Sequence, residues 1–264
     1  FKQRIIFEIE KRTPFKVTIN KLNISPIIRL KVYGVTVYRD KEPILNIDEL
    51  KLNPSFIYLV LNKLGIPFEA SLYGGQIEGK VVYSLKTKDI VRAQGEIENG
   101  INIERSRLVS ALLGSGPGSV QGILRGDFSL EFGSQPKGNI NLTVDDLLIK
   151  GVTVAGGFPL PDLGKMKSSF KGRIENGLTK VEELKLNGDK LDVSLSGTMP
   201  VLWQISHKGT IDLNVKLRAV GGAGKTMTGL LGAFLTKQRD GTLGGKIVGP
   251  ISRPNIVKHV INNR

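Results

Sequence analysis

The segment Ala219–Thr226 reads AVGGAGKT. Its Gly224-Lys225-Thr226 end is a residue set that can cradle a phosphate. Glycines let backbone N–H groups approach the oxygens, lysine brings charge, and threonine brings a hydroxyl to a bound Mg²⁺. The match is to the relaxed pattern, with Ala219 where the first glycine belongs. Two features weigh against nucleotide binding. A phosphate-loop strand is the buried centre of a parallel sheet and apolar on both faces. The strand leading to this loop instead puts Asp212, Asn214, Lys216 and Arg218 on one face. Only 38 residues follow Thr226, without an apolar run ending in a metal-binding aspartate. The competing reading is a glycine-rich turn with Lys225 in solvent.

Other reactive types are sparse. His207 and His259 have no nucleophile or metal-ligand partner at diagnostic spacing. Asp145-Asp146 and Glu182-Glu183 are adjacent pairs. Neighbours on a strand point to opposite faces, so neither pair is expected to converge. There are no cysteines, which excludes disulfides, thiolate metal sites and a cysteine nucleophile. GSGPGS at Gly114–Ser119 lacks a following lysine and reads as a connector. The expectation is a protein with no catalytic residues, no metal and no cofactor.

The whole composition favours holding over transforming. With 38 basic and 24 acidic residues the formal net charge is +14, which suits an anionic partner. Nucleic acid is disfavoured, because sequence-tolerant binders add aromatic stacking platforms to a basic groove. Aromatics are only 6% of this chain and fall mostly in phase with the apolar positions. Basic residues on the wet strand faces (Lys80, Lys171, Arg173, Lys185, Lys216, Arg218, Lys246) suit an anionic membrane surface instead. The longest apolar run, Phe56 to Leu61, is too short to span a bilayer. The chain starts at Phe1 rather than Met, which leaves open a processed or trimmed form without its N-terminal signal or anchor.

The elements that must position these side chains are mostly strands. The opening FKQRIIFEIEKRTPF predicts a short helix with Ile5, Ile6 and Ile9 on one face, ended at Thr13-Pro14. Phe15, Val17 and Ile19 then alternate with polar neighbours, and LKVYGVTVYRD and PILNIDELKLN continue the pattern. Further short helices are predicted at Ser55–Gly65, Glu104–Gly114 and Lys225–Gln238. Elsewhere period two prevails, with Val81, Tyr83 and Leu85 sharing a face. Ile140, Leu142 and Val144 do the same, as do Leu184 with Leu186, Val193 with Leu195, and Ile211, Leu213, Val215 and Leu217. Such strands have one apolar and one wet face. Glycine, 32 of 264 residues, recurs at strand ends and inside strands, where it marks bulges or bends. The predicted fold is mainly β: a strongly curved antiparallel sheet, an open half-barrel, with three or four short helices. Residues 1–97 form an N-terminal helix-plus-sheet module, and 98–264 continue the same sheet as one continuous domain.

The leading helix ending in RTPF, then KVTINKLNISPIIRLKVYGVTVYRDKEPILNIDELKLNPSFIYLVL and the ASLYGGQIEGKVVYSL hairpin, resembles the N-terminal module of AsmA-like proteins. The closing DGTLGGKIVGPISRPNI resembles the glycine-rich ending of that superfamily. Among relatives of this length, the chain is similar to the type II secretion system protein N family. The resemblance implies a body in the periplasm, at the face of a bacterial inner membrane, and an anchor before Phe1. It implies a non-enzymatic accessory role in protein transport with other secretion-system subunits as partners. It also implies kinship with proteins that bind or transfer lipid along an apolar groove.

The candidate groove is lined by Ile140, Leu142, Val144, Val193, Leu195, Ile211, Leu213, Val215 and Leu217. Each methylene buried there is worth about 0.8 kcal/mol, so part of one acyl chain would bind usefully. The competing reading of the same residues is a closed core filled by the predicted helices. Two other functions stay open: lipid binding or transfer unrelated to secretion, and an assembly protein that recruits partners by strand addition and holds no ligand.

Overall fold

The computed structural model describes residues 2–12, 15–25, 29–39, 41–55, 62–106, 119–151, 153–154, 158–159, 163–201, 209–221, 232, 234–250 and 254–258. The chain divides into two compact units, Phe1–Ser115 with Val120–Gly133, and Gly116–Ser119 with Ser134–Arg264.

The first unit begins with α1 (Lys2–Arg12). Its Ile5, Ile6 and Ile9 stripe packs on Val17, Ile19, Val32 and Val35, the buried cluster of the first two strands. The carboxylate of Glu10 ties the helix end to the sheet, accepting from the Val17 N–H at 3.1 Å and from Lys16 Nζ at 3.1 Å. Seven strands follow: β1 (Lys16–Ile24), β2 (Leu30–Arg39), β3 (Glu42–Leu52), β4 (Lys63–Leu72), β5 (Gly75–Ser84), β6 (Asp89–Asn102) and β7 (Ser119–Glu131). They pair in chain order, each antiparallel to the next. The β4–β5 connection is the two residues Tyr73-Gly74, both at positive φ, the turn whose twist matches a hairpin.

Val32 and Val35 are three residues apart, yet both are buried in one core. Strict alternation would send them to opposite faces. Gly34 lies between them at φ 59°, and that left-handed residue resets the alternation. A Cβ at Gly34 would fall 2.3 Å from the Asn20 side-chain nitrogen, so any other residue would have to displace that side chain as well as take a left-handed backbone.

The second unit holds β8 (Lys137–Lys150), β9 (Thr153–Val154), β10 (Phe158–Pro159), β11 (Met166–Glu175), β12 (Leu178–Gly188), β13 (Leu191–Pro200), β14 (Thr210–Ala219), β15 (Thr236–Lys237), β16 (Leu243–Pro250) and β17 (Asn255–Lys258). The main order is β8-β11-β12-β13-β14-β16-β15, with β17 also paired to β16, while β9 and β10 form a separate pair. All of these pairings are antiparallel. In neither unit does the strand order return on itself.

The protein is therefore mainly β and antiparallel, as the period-two stripes predict. The expected three or four short helices are corrected: among the described residues α1 is the one α-helix, joined by a 3-10 turn at Ile103–Arg105. The predicted helix Ser55–Gly65 fails at its end, where Lys63, Leu64 and Gly65 are extended and paired with Ser84, Tyr83 and Val82. The predicted helix to Gln238 fails likewise, because Thr236 and Lys237 pair with Gly244 and Leu243. In both cases ladder hydrogen bonds to a neighbouring strand override a short apolar run that reads equally well as helix or strand. The interiors of these predictions (56–61, 107–114, 222–231) lie outside the described residues.

Candidate functional site: an apolar sheet face

Residues directly opposite in an antiparallel ladder share a face. In the second unit this places the sequence-predicted groove residues in three rows crossing β8, β11, β12, β13, β14 and β16. One row is Leu142, Phe170, Leu184, Leu195, Val215 and Gly245. A second is Val144, Ser168, Leu186, Val193, Leu217 and Leu243. The third is Ile140, Gly172, Val181, Gly197, Leu213 and Ile247. Ile211 lies two residues before Leu213 on the same strand, opposite Gly249. All nine predicted residues thus occupy one face. Sequence reasoning did not include Phe170, Val181, Leu184, Leu186 and Ile247 in the groove, although Leu184 and Leu186 carry the same period-two signal.

Burial varies along this face. At one end Leu147, Met166, Leu191, Leu217 and Leu243 are buried. Leu235 is buried too and packs over Gly245 in the first row, where a Cβ would fall 2.4 Å from its methyl. Toward the other, Ile174, Thr179 and Val181 are buried, and Ile140 with them. Between them Leu142, Phe170, Leu184 and Leu195 are partly exposed, as are Val144, Leu186 and Val193 in the second row, and on β14 Leu213 and Ile211 remain partly exposed at the far end. Val215 sits at the margin at 9% exposed. The middle of the face therefore presents branched aliphatic side chains and one aromatic ring that the described residues do not fully cover. At the Ile174 end, the Thr179 hydroxyl oxygen is buried and has no hydrogen-bond partner among the described residues.

The opposite face is charged and paired. Arg218 donates to Asp192 at 2.6 Å, Lys246 to Asp212 at 2.9 Å, and Arg173 lies 3.1 Å from Glu182. Lys185 pairs with Glu183 and Lys216 with Asp240. Five of the cations expected to form a basic outer surface (Arg173, Lys185, Lys216, Arg218 and Lys246) therefore stand beside a carboxylate. Such exposed pairs contribute little to stability, about 0–1 kcal/mol each. Their effect is to keep the polar face wet and the apolar face single-sided. Lys216 and Thr242 together hold the Asp240 carboxyl well below the usual carboxylate range: the Lys216 ammonium is the larger influence, followed by the Thr242 hydroxyl and N–H.

The adjacent acid pairs behave differently from the alternation rule. Glu182 and Glu183 lie where β12 shifts register with both neighbours, so Val181 and Leu184 both keep the apolar face. Both carboxylates then turn to the charged side, one toward Arg173 and one toward Lys185. Asp145 and Asp146 occupy the matching irregularity between Val144 and Leu147, with Asp146 at φ 52°. They face Lys167 at 3.5 Å and Lys165 at 3.4 Å. In a bulge two residues oppose one, and the extra residue restores the apolar phase. Each pair shares a face, yet each carboxylate has its own cation.

The first unit has a related face that sequence reasoning did not single out. One of its rows is Leu52, Phe68, Gly79, Gly95 and Phe128. The two rings lie over the two glycines: a Cβ at Gly79 would fall 2.8 Å from the Phe68 ring, and one at Gly95 would fall 3.0 Å from that of Phe128. Aromatic cover of a strand glycine restores packing that the missing side chain forgoes.

The phosphate-loop look-alike at Gly224–Thr226 and both histidines lie outside the described residues. The strand before it, β14, is flanked on both sides by antiparallel neighbours. Among the described residues no group of three His, Cys, Asp or Glu side chains could hold a metal ion. Among them, too, no helix is long and apolar enough to cross a membrane. Comparisons of the chain with protein-family models, with curated proteins and with solved structures gave no match.

Proposed function

We propose that this chain is a non-enzymatic holding protein whose apolar sheet face takes the acyl chains of a lipid. The observation that carries the reading is the middle of the three rows in the second unit. From β8 to β13 it is lined by Leu142, Phe170, Leu184 and Leu195, which remain partly exposed, between two buried ends. A contiguous apolar surface left in contact with water is costly unless something covers it. An alkyl chain suits a face that has shape and no hydrogen-bonding groups. The glycines in these rows let the sheet of the second unit curl about its apolar side into a half-pipe. The antiparallel setting of β14 and the individually paired carboxylates support a binding role over catalysis.

The resemblance to AsmA-like proteins and to the type II secretion system protein N family supports a location at the periplasmic face of a bacterial inner membrane. An accessory role beside other secretion subunits then follows. The alternative of lipid binding or transfer unrelated to secretion uses the same face. A second reading, partner recruitment by strand addition, is favoured by β17. All four of its residues are exposed, with Ile256 at 49% and Val257 at 47%. Such an edge is a template for another strand.

The test is organic extraction of the purified chain followed by mass spectrometry, with Val215→Asp in parallel. The expected result is phospholipid or fatty acid from the native chain and none from a folded Val215→Asp protein. No lipid from the native chain, together with unfolding of Val215→Asp, would point to a closed core and leave strand addition as the better reading.

A further inference from the structure

The end of the β5–β6 hairpin in the first unit combines two features that rarely share one spot without a purpose. Leu85 is 42% exposed and Ile90 is 48% exposed, among the most exposed large apolar side chains described. Leu85 opens the four-residue turn 85–88 that joins the strands, and Ile90, paired with Tyr83, lies just past its other end. Around them stand Lys86 and Lys88 in the turn and Lys63 on the neighbouring strand, all exposed. Lys63 is held there because it pairs with Ser84, while the Leu85 N–H donates to the Asn62 carbonyl at 2.9 Å. The turn itself is defined, since the Thr87 N–H donates to Ser84 Oγ at 3.2 Å and Lys88 takes a positive φ. Asp89 is the one acidic residue of the group, against three lysines.

We infer that this hairpin end is a peripheral contact for the surface of an anionic lipid bilayer. Leucine and isoleucine enter the headgroup boundary while lysines around them meet lipid phosphates, the arrangement by which an amphipathic element lies on a membrane. Basic residues close to an anionic surface each add to the attraction, and salt weakens it. A protein partner of matching shape would need an apolar pocket inside an acidic rim, whereas a bilayer of anionic lipid offers both at every point. The inference does not use the apolar face of the second unit, so the two can fail separately.

The experiment is co-sedimentation of the purified chain with phosphatidylcholine vesicles, with and without phosphatidylglycerol. Binding is expected only with phosphatidylglycerol. Replacing the three lysines (Lys63→Gln, Lys86→Gln, Lys88→Gln) should weaken it by about tenfold or more. The same charge change at three exposed lysines of the second unit (Lys137→Gln, Lys150→Gln, Lys180→Gln) should weaken it much less. Leu85→Ser with Ile90→Ser should also lose binding, and Leu85→Met with Ile90→Val should keep it. Equal losses from the two lysine sets would show attraction by net charge alone and overturn the inference, as would unchanged binding in the serine pair. Because the chain has no native cysteine, Leu85→Cys can carry a polarity-sensitive dye. Its emission should shift to the blue on phosphatidylglycerol vesicles, while the same dye at Leu178→Cys should not respond. A dye at position 85 that stays in water while the protein sediments would refute the site.

Discussion

Whether the middle of the second unit's apolar face is open can be decided by truncating two of its side chains. Ile174 is 1% exposed, at the buried end opposite Thr179. Leu195 is in the middle, between Leu184 and Val215, and partly exposed. Removing about three carbons' worth of transfer energy costs roughly 2.5 kcal/mol at a fully buried site. At Ile174 a cavity is added, because the packed surroundings relax only partly, and the loss for Ile174→Ala should reach about 4 kcal/mol. At Leu195 part of the side chain already meets water, and truncation leaves a surface dent that solvent fills. Leu195→Ala should therefore cost about 1.5 kcal/mol, with no cavity contribution. Urea unfolding of lipid-free protein gives both values from the shift in midpoint at constant slope. A gap of about 2.5 kcal/mol agrees with an open face. Losses of equal size would mean that Leu195 is packed like Ile174, and the groove would be a closed core.

Three other outcomes follow from particular contacts. Thr179→Val removes a buried hydroxyl that has no partner, and should stabilise the protein by about 1 kcal/mol, measured as a rise in urea midpoint. Gly197→Ala should destabilise by about 1–3 kcal/mol or prevent folding, because its Cβ would meet the Asp212 carbonyl oxygen at 2.1 Å and its φ is 142°. The Asp240 carboxyl is held below its ordinary value, first by Lys216 and then by Thr242, so its contribution is present above the unfolded value of about 4 and lost as pH falls below it. Asp240→Asn should flatten that acid limb in unfolding experiments, and so should Lys216→Met, while neither changes the slope on the alkaline side.

Most of the strand architecture is legible because half-buried strands carry a period of two. The helix α1 is legible because Ile5, Ile6 and Ile9 fall on one helical face. What escaped is where the period changes. Val181 and Leu184, Val144 and Leu147, and Val32 with Val35 are apolar pairs three apart inside strand sequences. In the first two a bulge adds one residue, and in the third the left-handed Gly34 turns the chain with no register shift; each returns the apolar phase to the same side. A strict period-two reading therefore sends Glu182 and Glu183 to opposite faces and overlooks that both meet cations. The spacing of apolar residues by three between two alternating runs was the available signal. Asn176-Gly177 was another: both residues have positive φ and close the β11–β12 hairpin. The helix ends that proved to be strand, Lys63–Gly65 and Thr236–Lys237, have the opposite origin. A short apolar run such as Phe56–Leu61 has no distinctive period, and the extended state of Lys63–Gly65 is decided by partners in β5 that local sequence does not specify.

The claim that this face holds alkyl chains is tested most directly by site-specific photocrosslinking in cells, with a benzophenone side chain placed at single positions. Leu184 and Leu195 are paired on the apolar face, and Lys185 and Ser194 are paired on the charged face one residue away. The account predicts adducts of phospholipid mass at positions 184 and 195 and none at 185 and 194. Equal labelling at all four, or labelling by protein alone at 184 and 195, would contradict it.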